Sequence, residues 1–80
     1  MGQKEELMKQ GLVVRKSRER EALEIKIDRC VKDLEYYAFP FDGIASIEPD
    51  KVLQAAQELK ELCGRWKDVN AEIEKLNREV

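Results

Sequence analysis

A heptad pattern of apolar residues in the second half of the chain constrains the fold more than any other feature of the sequence. Apolar side chains fill both core positions of each heptad from Val52 to Val80, with no polar interruption. Such a period, kept over about four heptads, is typical of a helix that packs lengthwise against another helix. Pro49 precedes the pattern and suits the first helical position, where its missing N–H costs nothing. The pattern therefore predicts a helix over residues 49–80.

A second apolar seam lies in the first half of the chain. Its members alternate by four and three residues and are Leu23, Ile27, Cys30, Leu34 and Tyr37. Extended toward the N-terminus, the same spacing passes through Arg20 and Lys16 before it returns to an apolar residue at Val13. We predict a nearly continuous first helix over about residues 8–38, and residues 1–7 form either its frayed start or a tail.

Two long helices with one break between them predict an all-α fold, an antiparallel two-helix hairpin of coiled-coil type that forms one domain over residues 1–80. Placing Leu34 opposite Leu53 sets the register and puts Trp66 beside Ala22, leaving an arginine of the first helix to cover the indole. The residues expected to form the core seam are Leu23, Ile27, Cys30, Leu34, Leu59, Leu62, Trp66, Val69, Ile73 and Leu76.

The connection between the helices, residues 39–48, differs in character from both. Pro40 disfavours helix at the residue before it, and Asp42 followed by Gly43 is a turn signal. The connection is longer than most loops between bundled helices, which have about two to eight residues. The connection is therefore longer than an antiparallel hairpin needs.

Large apolar side chains are concentrated at this tip. They are Tyr36, Tyr37, Phe39, Phe41, Ile44 and Ile47. We expect Tyr37, Phe39 and Ile47 to close the end of the bundle. Phe41 and Ile44 then stay partly exposed and, together with Phe39, are the predicted contacts for a protein partner.

The residue types that most enzymatic and metal sites require are scarce. The chain has no histidine, and its two cysteines, Cys30 and Cys63, lie too far apart along the predicted hairpin for a disulfide. Carboxylates such as Asp28, four residues before Lys32, have the spacing of solvated helix ion pairs. We therefore expect no catalytic residue, metal site or cofactor, and no small-molecule substrate.

The possible phosphate contacts are four basic residues near the N-terminus, namely Arg15, Lys16, Arg18 and Arg20. Glutamates at positions 19, 21 and 24 interleave or follow them, so the stretch is expected to be a solvated helix face, and nucleic-acid binding is not expected. The sequence lacks an apolar run long enough for a membrane span and the apolar core of a signal peptide, which predicts a cytoplasmic protein without membrane contacts.

A lone hairpin leaves one flank of each seam in water, and here Val31, Ala56, Cys63 and Ile25 lie outside a strict two-helix contact. Association of two hairpins into a four-helix bundle covers such flanks. The first hypothesis is therefore a homodimer that acts as a non-enzymatic protein–protein interaction and oligomerisation module, an adaptor or regulator. Two alternatives are a nucleic-acid-associated regulatory protein that uses residues 15–20, and a structural subunit of a larger assembly of the phage or secretion type.

Overall fold

A computed structural model describes the backbone of residues 2–78 and the side chains of residues 8–78. The seam position predicted for Val80, at the end of the second helix, lies outside the described residues.

Two long helices make up nearly all of the described chain. Helix α1 spans Gly2–Ala38, a short 3₁₀ helix spans Ile44–Ser46, and helix α2 spans Pro49–Arg78. The two long helices pack against each other, and the Cα atoms form a rod of 66 × 15 × 14 Å. Residues 2–78 include no β-strand, so the all-α prediction is confirmed. Helix α1 begins earlier than the predicted position of about 8.

Contacts between the helices show that they run antiparallel. The Lys16 ammonium lies 2.7 Å from a carboxylate oxygen of Glu72, and the Cys30 thiol donates a hydrogen bond of 3.1 Å to the carbonyl of Ala55. The predicted register places the same two α1 residues opposite Ala71 and Gln57. The side-chain contacts between the helices depart from the register expected from the sequence by one to three residues, which is less than one helical turn.

The core is a thin strip along the contact between the helices. Its buried members are Leu23, Cys30, Ala55, Leu62, Val69 and Ile73, and the half-buried side chains packed against them are Ile27, Leu34, Leu59 and Trp66. Leu76 is half-buried near the free end of α2. None of the described side chains is completely removed from solvent, since each seam is covered by only one neighbouring helix.

Trp66 shows how the polar residues of α1 fit this strip. Its indole N–H donates a hydrogen bond of 3.1 Å to the carboxylate of Glu24, while Arg20 donates one of 2.7 Å to the side-chain carbonyl of Asn70. Among the described side chains, neither Arg18 nor Arg20 makes a cation–π contact with the indole, so the expected arginine cover is not observed. The indole needs an acceptor for its N–H, which Glu24 supplies, and the guanidinium finds an amide oxygen across the seam.

Substitution of matched isoleucines tests the assignment of the core. Ile73 is 4% exposed and Ile25 is 64% exposed on the same hairpin. Ile73→Ala is expected to lower the free energy of unfolding by about 2–5 kcal/mol, because it removes buried methyl groups and leaves a cavity. Ile25→Ala is expected to change it by no more than about 0.5 kcal/mol. Urea unfolding followed by circular dichroism measures both.

A small domain has little stability to lose, so Ile73→Ala alone can abolish folding. The milder Ile73→Val, expected to cost about 0.5–1.5 kcal/mol, keeps the comparison quantitative. Equal losses at positions 73 and 25 would contradict the packing described above.

Both cysteines are free thiols, and they occupy different environments. Cys30 is buried in the core strip, and Cys63 is half-buried beside it. Removal from water raises the pKa of the Cys30 thiol above its ordinary value, and the nearby carboxylates of Glu58 and Asp33 raise it further. Since the thiolate is the reactive species, Cys30 is expected to be chemically inert in the folded chain.

Alkylation kinetics check this expectation in a Cys63→Ser variant, where only one thiol remains. At about pH 8, iodoacetamide is expected to modify Cys30 at least about tenfold more slowly in the folded protein than in concentrated urea. Both the raised pKa of the thiol and the burial of the sulfur slow the alkylation of Cys30. Equal rates in the two conditions, read by mass spectrometry, would show that Cys30 lies outside the core.

Candidate functional site

Backbone hydrogen bonds define the loop at the tip of the hairpin. The Phe39 N–H donates to the Glu35 carbonyl at 2.8 Å, and the Glu48 N–H donates to the Tyr37 carbonyl at 3.3 Å, which joins the two ends of the loop. Gly43 lies between them with φ of 92°, a conformation that residues with a Cβ rarely adopt. These constraints give the loop a defined shape at the end of two rigid helices.

Four large apolar side chains stand in solvent around this loop. Tyr36 is 74% exposed, Phe39 is 79%, Ile44 is 88%, and Phe41 is completely exposed. We call these four residues the tip surface. Scattered single apolar residues are common on protein surfaces, but contiguous apolar groups on a small protein mark interaction sites.

The prediction that Phe39 closes the end of the bundle is wrong. Its N–H still makes the helical bond to the carbonyl four residues earlier, so α1 sets its direction. Phe39 follows the seam residue Tyr37 by two positions, which places it on the outer face of the helix. Phe41 and Ile44 are also more exposed than the partial exposure expected for them.

Tyr37 and Ile47, the other two residues expected to close the end, are half-buried. The Tyr37 ring packs edge-to-face on Tyr36, with centroids 5.7 Å apart, and the Lys51 ammonium lies 5.3 Å from its centroid. The end of the core is therefore covered by Tyr37 of α1 and Ile47 of the loop, while Phe39, Phe41 and Ile44 are exposed.

An open groove of about 770 Å³ crosses the tip surface. It is lined by Lys32, Glu35, Tyr36, Phe39, Pro40, Phe41, Asp42, Ser46 and Glu48. One lysine and three carboxylates give these side chains a net charge of −2. Sequence reasoning did not single out the acidic residues, or Tyr36 as a partner contact. The sequence does carry a signal for this site, because Glu35 and Tyr36 lie outside the seam spacing and immediately before the loop.

The four basic residues between positions 15 and 20 lie far from the tip, and they differ in their contacts with the second helix. Lys16 pairs with Glu72 at 2.7 Å and with Glu19 at 3.7 Å, and the hydrogen bond to Glu72 is the main cause that raises the pKa of Lys16. Arg20 bonds across the seam to Asn70, as described above. Arg15 and Arg18 are exposed. Two of the four candidate phosphate contacts thus hold the helices together.

The two long flanks of the hairpin differ in chemistry. One carries a shallow charged groove lined by Lys26, Arg29, Asp33, Glu58, Glu61 and Arg65, together with the edges of Cys30 and Leu62. Val31, Ala56 and Cys63 each follow a seam residue by one position, which puts them on the other side of the core strip. We call these three residues, with Ala38, the neutral flank.

The described residues offer neither a cluster of metal ligands nor a membrane-spanning helix. Side chains 8–78 contain no group of three or more His, Cys, Asp or Glu arranged to hold a metal ion. No helix in the described part of the chain has the length and apolar character needed to cross a membrane.

The tip surface, the charged flank and the neutral flank are thus the features available for a functional assignment. No protein-family model, curated protein or solved structure matches this chain.

Proposed function

We propose that this chain is a non-enzymatic helical protein–protein interaction module, an adaptor or regulator, whose tip surface contacts another protein. The observation that carries the proposal is the complete exposure of Phe41 among three further exposed apolar side chains. Large apolar side chains that stay in water forgo about 1.5–3 kcal/mol each. Aromatic residues are also the side chains that most often dominate the binding energy of an interface.

Dimerisation into a four-helix bundle through the neutral flank is the second part of the proposal. A compact monomer of 80 residues exposes about 5,000 Å², whereas this hairpin exposes 6826 Å². The surplus is about 1,800 Å² per chain, which exceeds the roughly 800 Å² that each partner buries in a standard protein interface. Val31, Ala38, Ala56 and Cys63 bring no charge to such a contact, and the one carboxylate that follows the seam residue Leu23 in the same way, Glu24, already accepts the hydrogen bond of the Trp66 N–H.

The alternative function in nucleic-acid binding has less support. Lys16 and Arg20 already pair with residues of α2, so using them for phosphates would weaken contacts between the helices. A role as subunit of a larger assembly differs mainly in whether the isolated chain already forms a compact dimer. We keep a cytoplasmic location in the proposal because both cysteines are free thiols, as reducing compartments maintain them.

Polar substitutions in the tip surface test the proposed contact with another protein. Phe41→Ser combined with Ile44→Ser is expected to change the free energy of unfolding by no more than about 0.5 kcal/mol, because both side chains are exposed. The same variant is expected to lose the binding of proteins that the immobilised parent chain retains from its host extract. Quantitative mass spectrometry of the retained proteins provides the measurement.

Met8→Ser combined with Val14→Ser is the matched control, since these exposed apolar residues lie toward the opposite end of α1. It is expected to retain the same proteins as the parent. A tip variant that melts far below the parent would show that the two side chains belong to the core. Unchanged retention by a folded tip variant would remove the tip from the proposal.

Light scattering after size exclusion tests the dimer. At about 10 µM, a range where standard interfaces are largely occupied, the parent is expected to have twice the mass of the chain. Val31→Glu with Ala56→Glu is expected to give a folded monomer, because two charges per chain would be buried in the contact. Gln57→Glu, on an exposed position next to the neutral flank, is expected to remain dimeric. A cooperatively folded monomeric parent would refute the dimer.

A further inference from the structure

Among the described side chains, some carboxylates of the tip form ion pairs with lysines and others do not. Within the described side chains, the ammonium of Lys32 pairs with Asp28 at 2.9 Å, and Glu48 pairs with Lys51 at 3.3 Å. Glu35 and Asp42 also line the groove, and no ion pair among residues 8–78 involves either of them. The groove therefore presents two uncompensated carboxylates beside exposed aromatic rings.

The helix ends at the tip add to this negative potential. The C-terminal end of a helix carries a partial negative charge, which a basic residue in the last turn usually offsets. Helix α1 has no basic residue in its last turn. The N-terminal end of α2 lies at the same end of the rod and carries the opposite partial charge, but Asp50 already occupies its first turn. The net potential at the groove therefore remains negative and favours a cation.

From these observations we propose that the tip surface binds a basic amphipathic segment of a partner protein. Its apolar side chains contact Phe39, Phe41 and Tyr36, and its Lys or Arg side chains pair with Glu35 and Asp42. A guanidinium beside these carboxylates also lies near aromatic ring faces, which attract cations. This proposal rests on the proposed function and specifies the chemistry of the partner.

The same charges argue against two other occupants of the tip. A second copy of the hairpin would bring an identical acidic tip, and like charges in one contact oppose association. An anionic membrane surface attracts basic rather than acidic protein surfaces. An apolar segment flanked by positive charge matches both the rings and the carboxylates.

Binding of two matched peptides tests the proposal. Both are labelled helical peptides of about 14 residues, or four turns, with the same leucines on one face. One carries arginine at the remaining positions and the other carries glutamate. Fluorescence anisotropy with the full chain at about 150 mM salt is expected to show at least about tenfold tighter binding of the arginine peptide.

Charge-reversal variants separate the tip carboxylates from the overall charge of the chain. Glu35→Lys combined with Asp42→Lys is expected to weaken binding of the arginine peptide by at least about tenfold. The matched control is Glu21→Lys with Asp68→Lys, which changes the net charge equally at exposed positions away from the tip. This control is expected to weaken binding by no more than about twofold, because screening limits the reach of surface charges.

Several results would overturn the inference. One is equal weakening of binding by both charge reversals. Another is failure of the arginine peptide to bind at about 100 µM, a concentration well above typical interface dissociation constants. Binding of the chain to vesicles with about one-third phosphatidylserine, when neither peptide binds, would assign the tip to a membrane.

The failure of this inference is distinguishable from failure of the proposed function. If the glutamate peptide binds as well as the arginine peptide, and Phe41→Ser with Ile44→Ser abolishes both, the tip is an apolar interaction site without the proposed charge preference. If a folded tip variant retains the same host proteins as the parent, the part of the proposed function that assigns partner binding to the tip is wrong.

Discussion

Burial of one apolar seam against the other is the interaction on which every other feature of this hairpin depends. Within residues 2–78 the two long helices pack only on each other, so the core is a single strip and even its most buried member, Ile73, keeps 4% of its surface in water. Stability is then spread along the length of the rod. Polar contacts across the strip, such as that between Lys16 and Glu72, fasten the helices where the seam of α1 lacks apolar residues.

A core that runs along the helices leaves nothing for the loop to cover except the end of the strip. Tyr37 and Ile47 occupy that end, and the remaining large side chains of the loop are exposed. The hydrogen bond between the Glu48 N–H and the Tyr37 carbonyl holds the loop closed at its base. Exposure of the tip surface is thus a consequence of the two-helix architecture combined with an apolar loop, and it gives the rod a distinct end for recognition.

The two flanks follow from the same geometry. In an antiparallel pair of helices, the positions just after one set of seam residues share a side, and the positions just before the other set share the opposite side. Lys26, Asp33, Glu58 and Arg65 fill one side, where alternating charges favour solvent. The neutral side has Val31 and Ala56, which water solvates poorly. One hairpin therefore has three chemically different surfaces: an acidic aromatic tip, a charged flank and a neutral flank.

The sequence by itself determined the helices, the start of α2 at Pro49, the members of the seam and the register to within one helical turn. Periodicity and turn chemistry are local, and the connection over residues 39–48 limits how far one seam can shift along the other. Only the tertiary structure decided where the tip side chains point and which polar groups meet. The direction of Phe39 depends on the last helical hydrogen bond of α1, to Glu35, and the partner of the Trp66 N–H depends on the exact approach of Glu24. Such details follow from small displacements between packed helices, to which the apolar pattern of a sequence is insensitive.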